Sequence, residues 1–154
     1  MKIMFVCHGN ICRSPMAEMV LKKMVADSGI GDEIKIESRA TSDEEIGNPI
    51  YPPARAVMEK HGVPYEKREA TKIKRSDYDE YDMIIGMDSA NIRNMHRIFG
   101  GDPDSKIMRL MEIAGRDADV SDPWYTGRFE ETYRDVTEGC RALIEIIKKN
   151  QNKA

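Results

Sequence analysis

Four short apolar runs, each followed by a stretch of helical periodicity, constrain this chain more than any other feature. Lys2–Cys7, Ile34–Ser38, Asp82–Met87 and Lys106–Leu110 read as strands. The first is an almost unbroken apolar run ended by Gly9 and Asn10, the pattern of a strand covered on both faces. After it, Ser14 reads as a helix N-cap with Pro15 at the first helical position. Ala17, Val20, Leu21 and Met24 then recur at i, i+3, i+4 and i+7, and Gly29 stops the helix. Gly47–Pro53 reads as a turn-rich loop, followed by a helix from about Ala54 to His61 that ends at Gly62. Ser89 is expected to cap a third helix, with Ile92, Met95 and Phe99 on one face and Gly100-Gly101 at its end. A loop rich in Asp, Gly and Pro follows the fourth strand. The last helix buries Tyr133, Val136, Cys140, Leu143 and Ile147, and residues 148–154 are expected to fray. Strands alternating with helices predict an α/β fold: a single domain over 1–154 with a four-stranded parallel sheet and helices on both faces. Such a three-layer arrangement is flavodoxin-like or Rossmann-like.

The length of 154 residues suits one domain, and no internal repeat or linker divides it. A formal net charge of −3 with both signs interspersed argues against nucleic acid as a partner. No apolar run approaches a membrane span, and the run before Cys7 is too short for an export signal. With 3 cysteines, an odd number, free thiols in a reducing compartment are expected, which places the chain in the cytoplasm. Cys7, Cys12 and Cys140 have no zinc spacing, and His8, His61 and His96 are scattered. No metal and no cofactor are therefore expected.

In open parallel sheets, ligands bind beyond the carboxyl ends of the strands. The first strand ends at Cys7, which opens the segment Cys7-His8-Gly9-Asn10-Ile11-Cys12-Arg13-Ser14. Gly9 and Asn10 tolerate the left-handed backbone that turns successive N–H groups inward around an anion. The following helix adds the positive end of its dipole, and Arg13 adds a planar fork for two phosphate oxygens. The same positive surroundings favour a thiolate at Cys7, placed for in-line attack on phosphorus. A strand-end cysteine is also an ordinary core residue, but the turn residues and helix start around Cys7 favour the catalytic reading. His8 beside a cysteine suggests a thiol–imidazole pair. Neighbours on such a loop point apart, however, and His8 is expected to line the pocket.

Cys-x-Gly-Asn-x-Cys-Arg-Ser-Pro near the N-terminus resembles the low-molecular-weight protein tyrosine phosphatases. Ala56-Val57 to His61-Gly62, Asp82-Met83-Ile84-Ile85-Gly86-Met87-Asp88 and Asp122-Pro123-Trp124-Tyr125 follow in that family's order. The resemblance implies hydrolysis of phosphotyrosine and other aryl phosphates through a cysteinyl-phosphate. It implies Cys7 as nucleophile, Arg13 as the phosphate-binding arginine and Asp122 as general acid. His8, Gly9, Asn10, Ile11, Cys12, Ser14, Trp124 and Tyr125 would bind substrate or phosphate. Within that set, Asn10 would hold the loop's strained backbone and Ser14 would steady the thiolate. Cys12 would form a reversible disulfide with the oxidised nucleophile, making the enzyme redox-regulated. Phosphotyrosine-containing proteins would be the substrates, phosphate the product and inhibitor, and the chain a monomer. From chemistry alone Asp122 competes with Asp104, Asp117 and Asp119; the resemblance selects it.

The chain also departs from that pattern. Ser42-Asp43-Glu44-Glu45 stands where an aromatic is frequent, and Lys67-Arg68-Glu69-Ala70 replaces the family's His-x-Ala-Arg. Support for the loop must therefore come from another residue than that histidine. Trp124 replaces the usual tyrosine and keeps an aromatic wall. Four rival activities are disfavoured. Arsenate reduction needs further cysteines after the third strand. Arginine phosphatases carry a small polar residue at the Ile11 position. Sugar-phosphotransferase carriers lack the arginine, and a phosphate sensor would not need Cys7, Arg13 and an acid loop together.

Overall fold

The computed structural model describes residues 1–152. In chain order the elements are β1 (Lys2–Cys7), α1 (Arg13–Asp27), β2 (Lys35–Ala40), α2 (Pro52–Lys60) and α3 (Asp77–Glu80). Next come β3 (Met83–Gly86), α4 (Ser89–Phe99), β4 (Ile107–Arg109), α5 (Leu110–Ile113), α6 (Pro123–Thr126) and α7 (Phe129–Asn152). The strands form one parallel sheet in the order β2-β1-β3-β4. From β1 the chain winds outward to β2, then crosses back over β1 to β3. The winding therefore reverses between β1 and β3, and their carboxyl ends flank the crevice where open α/β sheets bind ligands.

Strand alternation divides the core into two layers. Ile3, Phe5 and Cys7 pack with Met16, Leu21, Met58, Val136 and Leu143 on the face covered by α1, α2 and α7. Met4 and Val6 point the other way, against Tyr78, Met95 and Phe99 of α3 and α4. Both faces of β1 are thus buried, as its unbroken apolar run requires. Gly86 lets α4 approach the sheet closely. A Cβ there would lie 2.9 Å from Met95 Cε and 3.0 Å from Ile92 Cδ1.

Several expected boundaries shift. Ser14 is not the cap of α1: Cys12 holds that position, and Ser14 and Pro15 are the second and third helical residues. Proline is tolerated there because first-turn N–H groups have no intrahelical acceptor to lose. Asp88, not Ser89, caps α4, in a reciprocal capping box with Asn91. α2 begins at Pro52, within the segment expected to be loop, because Pro52 and Pro53 fall where a missing N–H costs nothing. Residues 148–152, expected to fray, are part of α7. α7 stays helical to Asn152 as its apolar stripe, Val136 to Ile147, packs into the core; residues 153 and 154 lie outside the described part. The one-turn helices α3, α5 and α6 were not legible, being too short to show periodicity.

Candidate active site

The loop from Cys7 to Ser14 is shaped by Asn10, which takes a left-handed φ of 59° and is fully buried. Asparagine enters this region more readily than other side-chain-bearing residues. Every polar capacity of its amide is used. Nδ2 donates to Ser14 Oγ at 2.8 Å and to Ser38 Oγ at 2.9 Å. Oδ1 accepts from Thr71 N at 3.1 Å and from the Arg68 guanidinium. Arg68 also donates to the Asn10 carbonyl at 2.8 Å, so one cation grips both ends of the residue. Ser14 Oγ accepts from Asn10 and lies 3.0 Å from Cys7 Sγ, within reach to give its own proton to a thiolate there. The Asn10 backbone N–H donates to the same sulfur at 3.3 Å. Behind Ser38 the chain of bonds continues to buried Glu18 at 2.6 Å and then to Lys22 at 2.7 Å.

Arg13 is buried at the start of α1 and held by three partners. It donates to Asp88 Oδ2 at 2.7 Å, the Val120 carbonyl at 2.9 Å and Asp122 Oδ2 at 3.4 Å. Burial works against its charge, but Cys7, Asp88 and Asp122 together raise its basicity above the ordinary value. Asp88 uses its other oxygen, Oδ1, to accept the Asn91 amide at 2.8 Å, which ties the arginine clamp to the start of α4. Asp122 is the N-cap of α6: Oδ1 accepts the Trp124 amide at 3.1 Å, leaving Oδ2 turned toward Arg13.

Cys7, Gly9, Asn10, Ile11, Cys12, Arg13 and Asp122 line one pocket with His8, Trp124 and Tyr125. Ser14 lies beneath it. The structure thus gathers all the expected site residues, although Asp122 is over a hundred positions from the loop. Trp124 packs on Tyr51 with ring centroids 4.9 Å apart and remains 52% exposed, while Tyr125 is 82% exposed. Cys12 is a buried thiol, pushed up by that burial first and then by the charges of Cys7 and Asp122. His8 Nε2 lies 3.0 Å from Glu44 Oε2. Among the described residues, no group of three or more His, Cys, Asp or Glu is arranged to hold a metal ion.

Two supporting residues escaped the sequence reading. Arg68 gives the loop the support left open by the missing histidine. Its only signal was its place in the departing segment Lys67–Ala70. Asp88 was visible as the residue ending the third strand's motif, but nothing local told that it would hold Arg13. Glu44 and Glu45, from the departing segment Ser42–Glu45, also line the pocket.

A strand-end cysteine enclosed by a left-handed loop, with a helix start and a clamped arginine, forms a pocket suited to an anion in a three-layer α/β fold. The chain belongs to the low molecular weight phosphotyrosine protein phosphatase family, whose model matches residues 2–153. It is 36% identical over 151 residues to low molecular weight protein-tyrosine-phosphatase YfkJ of Bacillus subtilis, covering 97% of both chains. It is 35% identical to PtpA of Staphylococcus aureus, covering 97% of this chain and 96% of that one. The YfkJ crystal structure superposes with a TM-score of 0.94 over 97% of this chain and 96% of that one. The low molecular weight protein tyrosine phosphatase SP-PTP from Streptococcus pyogenes gives 0.84 at 43% identity, over 94% of this chain and 91% of that one.

Proposed function

We propose that the chain hydrolyses phosphotyrosine in proteins, and aryl phosphates in general, through a phosphocysteine on Cys7. The observation that carries this reading is the convergence of Cys7 Sγ, the Arg13 guanidinium and Asp122 Oδ2 on one pocket. The inward-turned amides of the loop, the start of α1 and Arg13 bind the phosphoryl oxygens. The Cys7 thiolate attacks phosphorus as the ester P–O bond breaks, and Asp122 gives its proton to the departing phenolate oxygen. Water then attacks phosphorus and the S–P bond breaks. Asp122 takes the water's proton, and phosphate leaves with the thiolate restored. Arg13 serves both steps, because charge builds on the same equatorial oxygens. Ile11 and Trp124 supply apolar walls suited to a flat ring.

The finer parts of the reading rest on the same site. Phosphate, as product, inhibits by occupying the loop. Peroxide converts Cys7 to a sulfenic acid, which condenses with the Cys12 thiol to a disulfide and releases water. The three buried, unpaired cysteines suit a reducing cytoplasm, and the chain acts as a monomer. No helix among the described residues is long and apolar enough to cross a membrane.

The test is Cys7→Ser, assayed on p-nitrophenyl phosphate and on phosphotyrosine, phosphoserine and phosphoarginine peptides. The variant should lose turnover yet still bind inorganic phosphate, because the loop amides and Arg13 remain. Wild type should prefer phosphotyrosine. Activity above a trace in the variant would remove Cys7 from the nucleophile role, and a preference for phosphoarginine would overturn the substrate assignment.

A further inference from the structure

The cradle formed by the Cys7–Ser14 loop, Arg13 and Asp122 makes the floor of the pocket, and its mouth is built from other residues. Glu44 and Glu45 line the pocket and take no part in the cradle. Both are held in place. Ser42 N and Oγ donate to the His8 carbonyl at 3.1 and 2.9 Å, stapling this turn to the phosphate loop. Glu44 Oε2 then lies 3.0 Å from His8 Nε2. Glu45 Oε2 accepts Asn48 Nδ2 at 2.6 Å, and its stem covers Gly9, where a Cβ would lie 3.3 Å from Glu45 Cγ.

Little offsets these two charges. Among the described lining residues Arg13 is the only lysine or arginine, and it serves Asp88 and Asp122. Nearby Lys72 is paired with Asp43 at 3.1 Å, and Arg128 with Glu131 at 3.7 Å. A second, independent feature marks the mouth as a contact surface. Of the large hydrophobic residues left exposed among the described ones, Trp124 and Tyr125 line the pocket and Ile46 adjoins Glu45 in the chain. Exposed apolar groups gathered around a pocket mark a binding surface.

We infer that this mouth selects phosphotyrosine segments with Lys or Arg beside the phosphotyrosine and turns away segments with Asp or Glu there. The inference rests on the phosphotyrosine reading of the site. A phosphate dianion must pass two carboxylates to reach Cys7. A flanking cation on the substrate offsets that repulsion and pairs with Glu44 or Glu45, whereas a flanking acid adds to it. Exposed pairs are each worth a factor of a few, so basic over acidic flanks should differ roughly tenfold in kcat/KM at low salt. With the screening length near ~3 Å at 1 M salt, most of the difference should vanish.

The experiment measures kcat/KM for three peptides with one phosphotyrosine flanked by two Lys, two Gln or two Glu. Wild type is compared with Glu44→Gln/Glu45→Gln, which keeps acceptors for His8 and Asn48, and with Glu44→Lys/Glu45→Lys. The readout is the basic-to-acidic ratio within each protein, so any general loss of activity cancels. The expected result is a ratio near tenfold in wild type, near one in the Gln variant and below one in the Lys variant. Equal rates on the three peptides in wild type would overturn the inference while leaving the phosphatase reading intact. An order that survives in the Gln variant would overturn it too, by assigning selection to other residues. If no phosphotyrosine peptide is turned over, the phosphatase reading falls and this inference with it.

Discussion

Replacing Asn10 tests the architecture of the phosphate loop most directly, because one buried amide holds four partners and a left-handed backbone. Asn10→Ala removes two donated bonds to serine hydroxyls, one accepted from the Thr71 amide and one from Arg68. At about 1 kcal/mol for each neutral bond and about 2 for the charged one, the gross loss is about 5 kcal/mol. Ser14, Ser38 and Arg68 each keep another partner, at Cys7, Glu18 and the Asn10 carbonyl. That lowers the net loss to about 3–4 kcal/mol. Alanine held at a φ of 59° adds about 1 kcal/mol, which glycine escapes. Asn10→Gly should therefore be less damaging than Asn10→Ala by about that amount, and both should fold, given the usual 5–15 kcal/mol of a domain, roughly. Urea denaturation reads the result as a midpoint lowered by about 2 M, at a slope of about 2 kcal/mol/M. Binding of inorganic phosphate should weaken in both variants, since the loop amides lose their fixed aim. An alanine variant within about 1 kcal/mol of wild type would refute the strut, and a glycine variant less stable than alanine would refute the backbone argument.

Three further outcomes are expected. Asp122→Asn should slow hydrolysis of alkyl-like, poor leaving groups by roughly 10²–10⁴-fold and of p-nitrophenyl phosphate by much less; equal losses would shift the acid role, with Asp119 tested next. Peroxide should inactivate the wild type reversibly, with recovery in dithiothreitol and protection by phosphate, while Cys12→Ser should become irreversibly inactivated; unchanged recovery in the variant would remove Cys12 from that role. Iodoacetamide at neutral pH should label Cys7 alone by peptide mass mapping, because burial pushes the Cys12 and Cys140 thiols up and keeps them uncharged; labelling of Cys12 at a similar rate would contradict this.

Local chemistry was legible in the chain by itself. The apolar run Lys2–Cys7 reads as a strand buried on both faces, with Gly9 and Asn10 as the turn residues that end it. An arginine and a helix start came next, so Cys7, Asn10 and Arg13 were visible as one loop before any fold was known. The alternation of runs and helical stripes carried the parallel three-layer sheet in the same way, because periodicity is a property of neighbouring residues. Even the caps of α1 and α4 were placed only within two residues, since several hydroxyls and carboxylates near a helix start compete for the role.

What the tertiary structure decided was which distant side chain meets which. Arg68 sits 58 residues from Asn10, Asp88 75 from Arg13, and Asp122 109 from Arg13. Glu44 meets His8 across 36. By chemistry alone these residues do not stand out among 24 Lys and Arg and 27 Asp and Glu, and Asp122 was singled out only by the motif resemblance. They converge because the segments after β1, β2, β3 and β4 all leave the carboxyl edge of one parallel sheet, and the segment carrying Arg68 runs back beside the end of β2 through the Ala40–Lys72 bridge. The sequence carried the phosphate loop because a loop's conformation is written in its own residues. The clamp on the arginine, the strut on Asn10 and the acidic mouth are contacts across the sheet, and they exist only once the strands have paired.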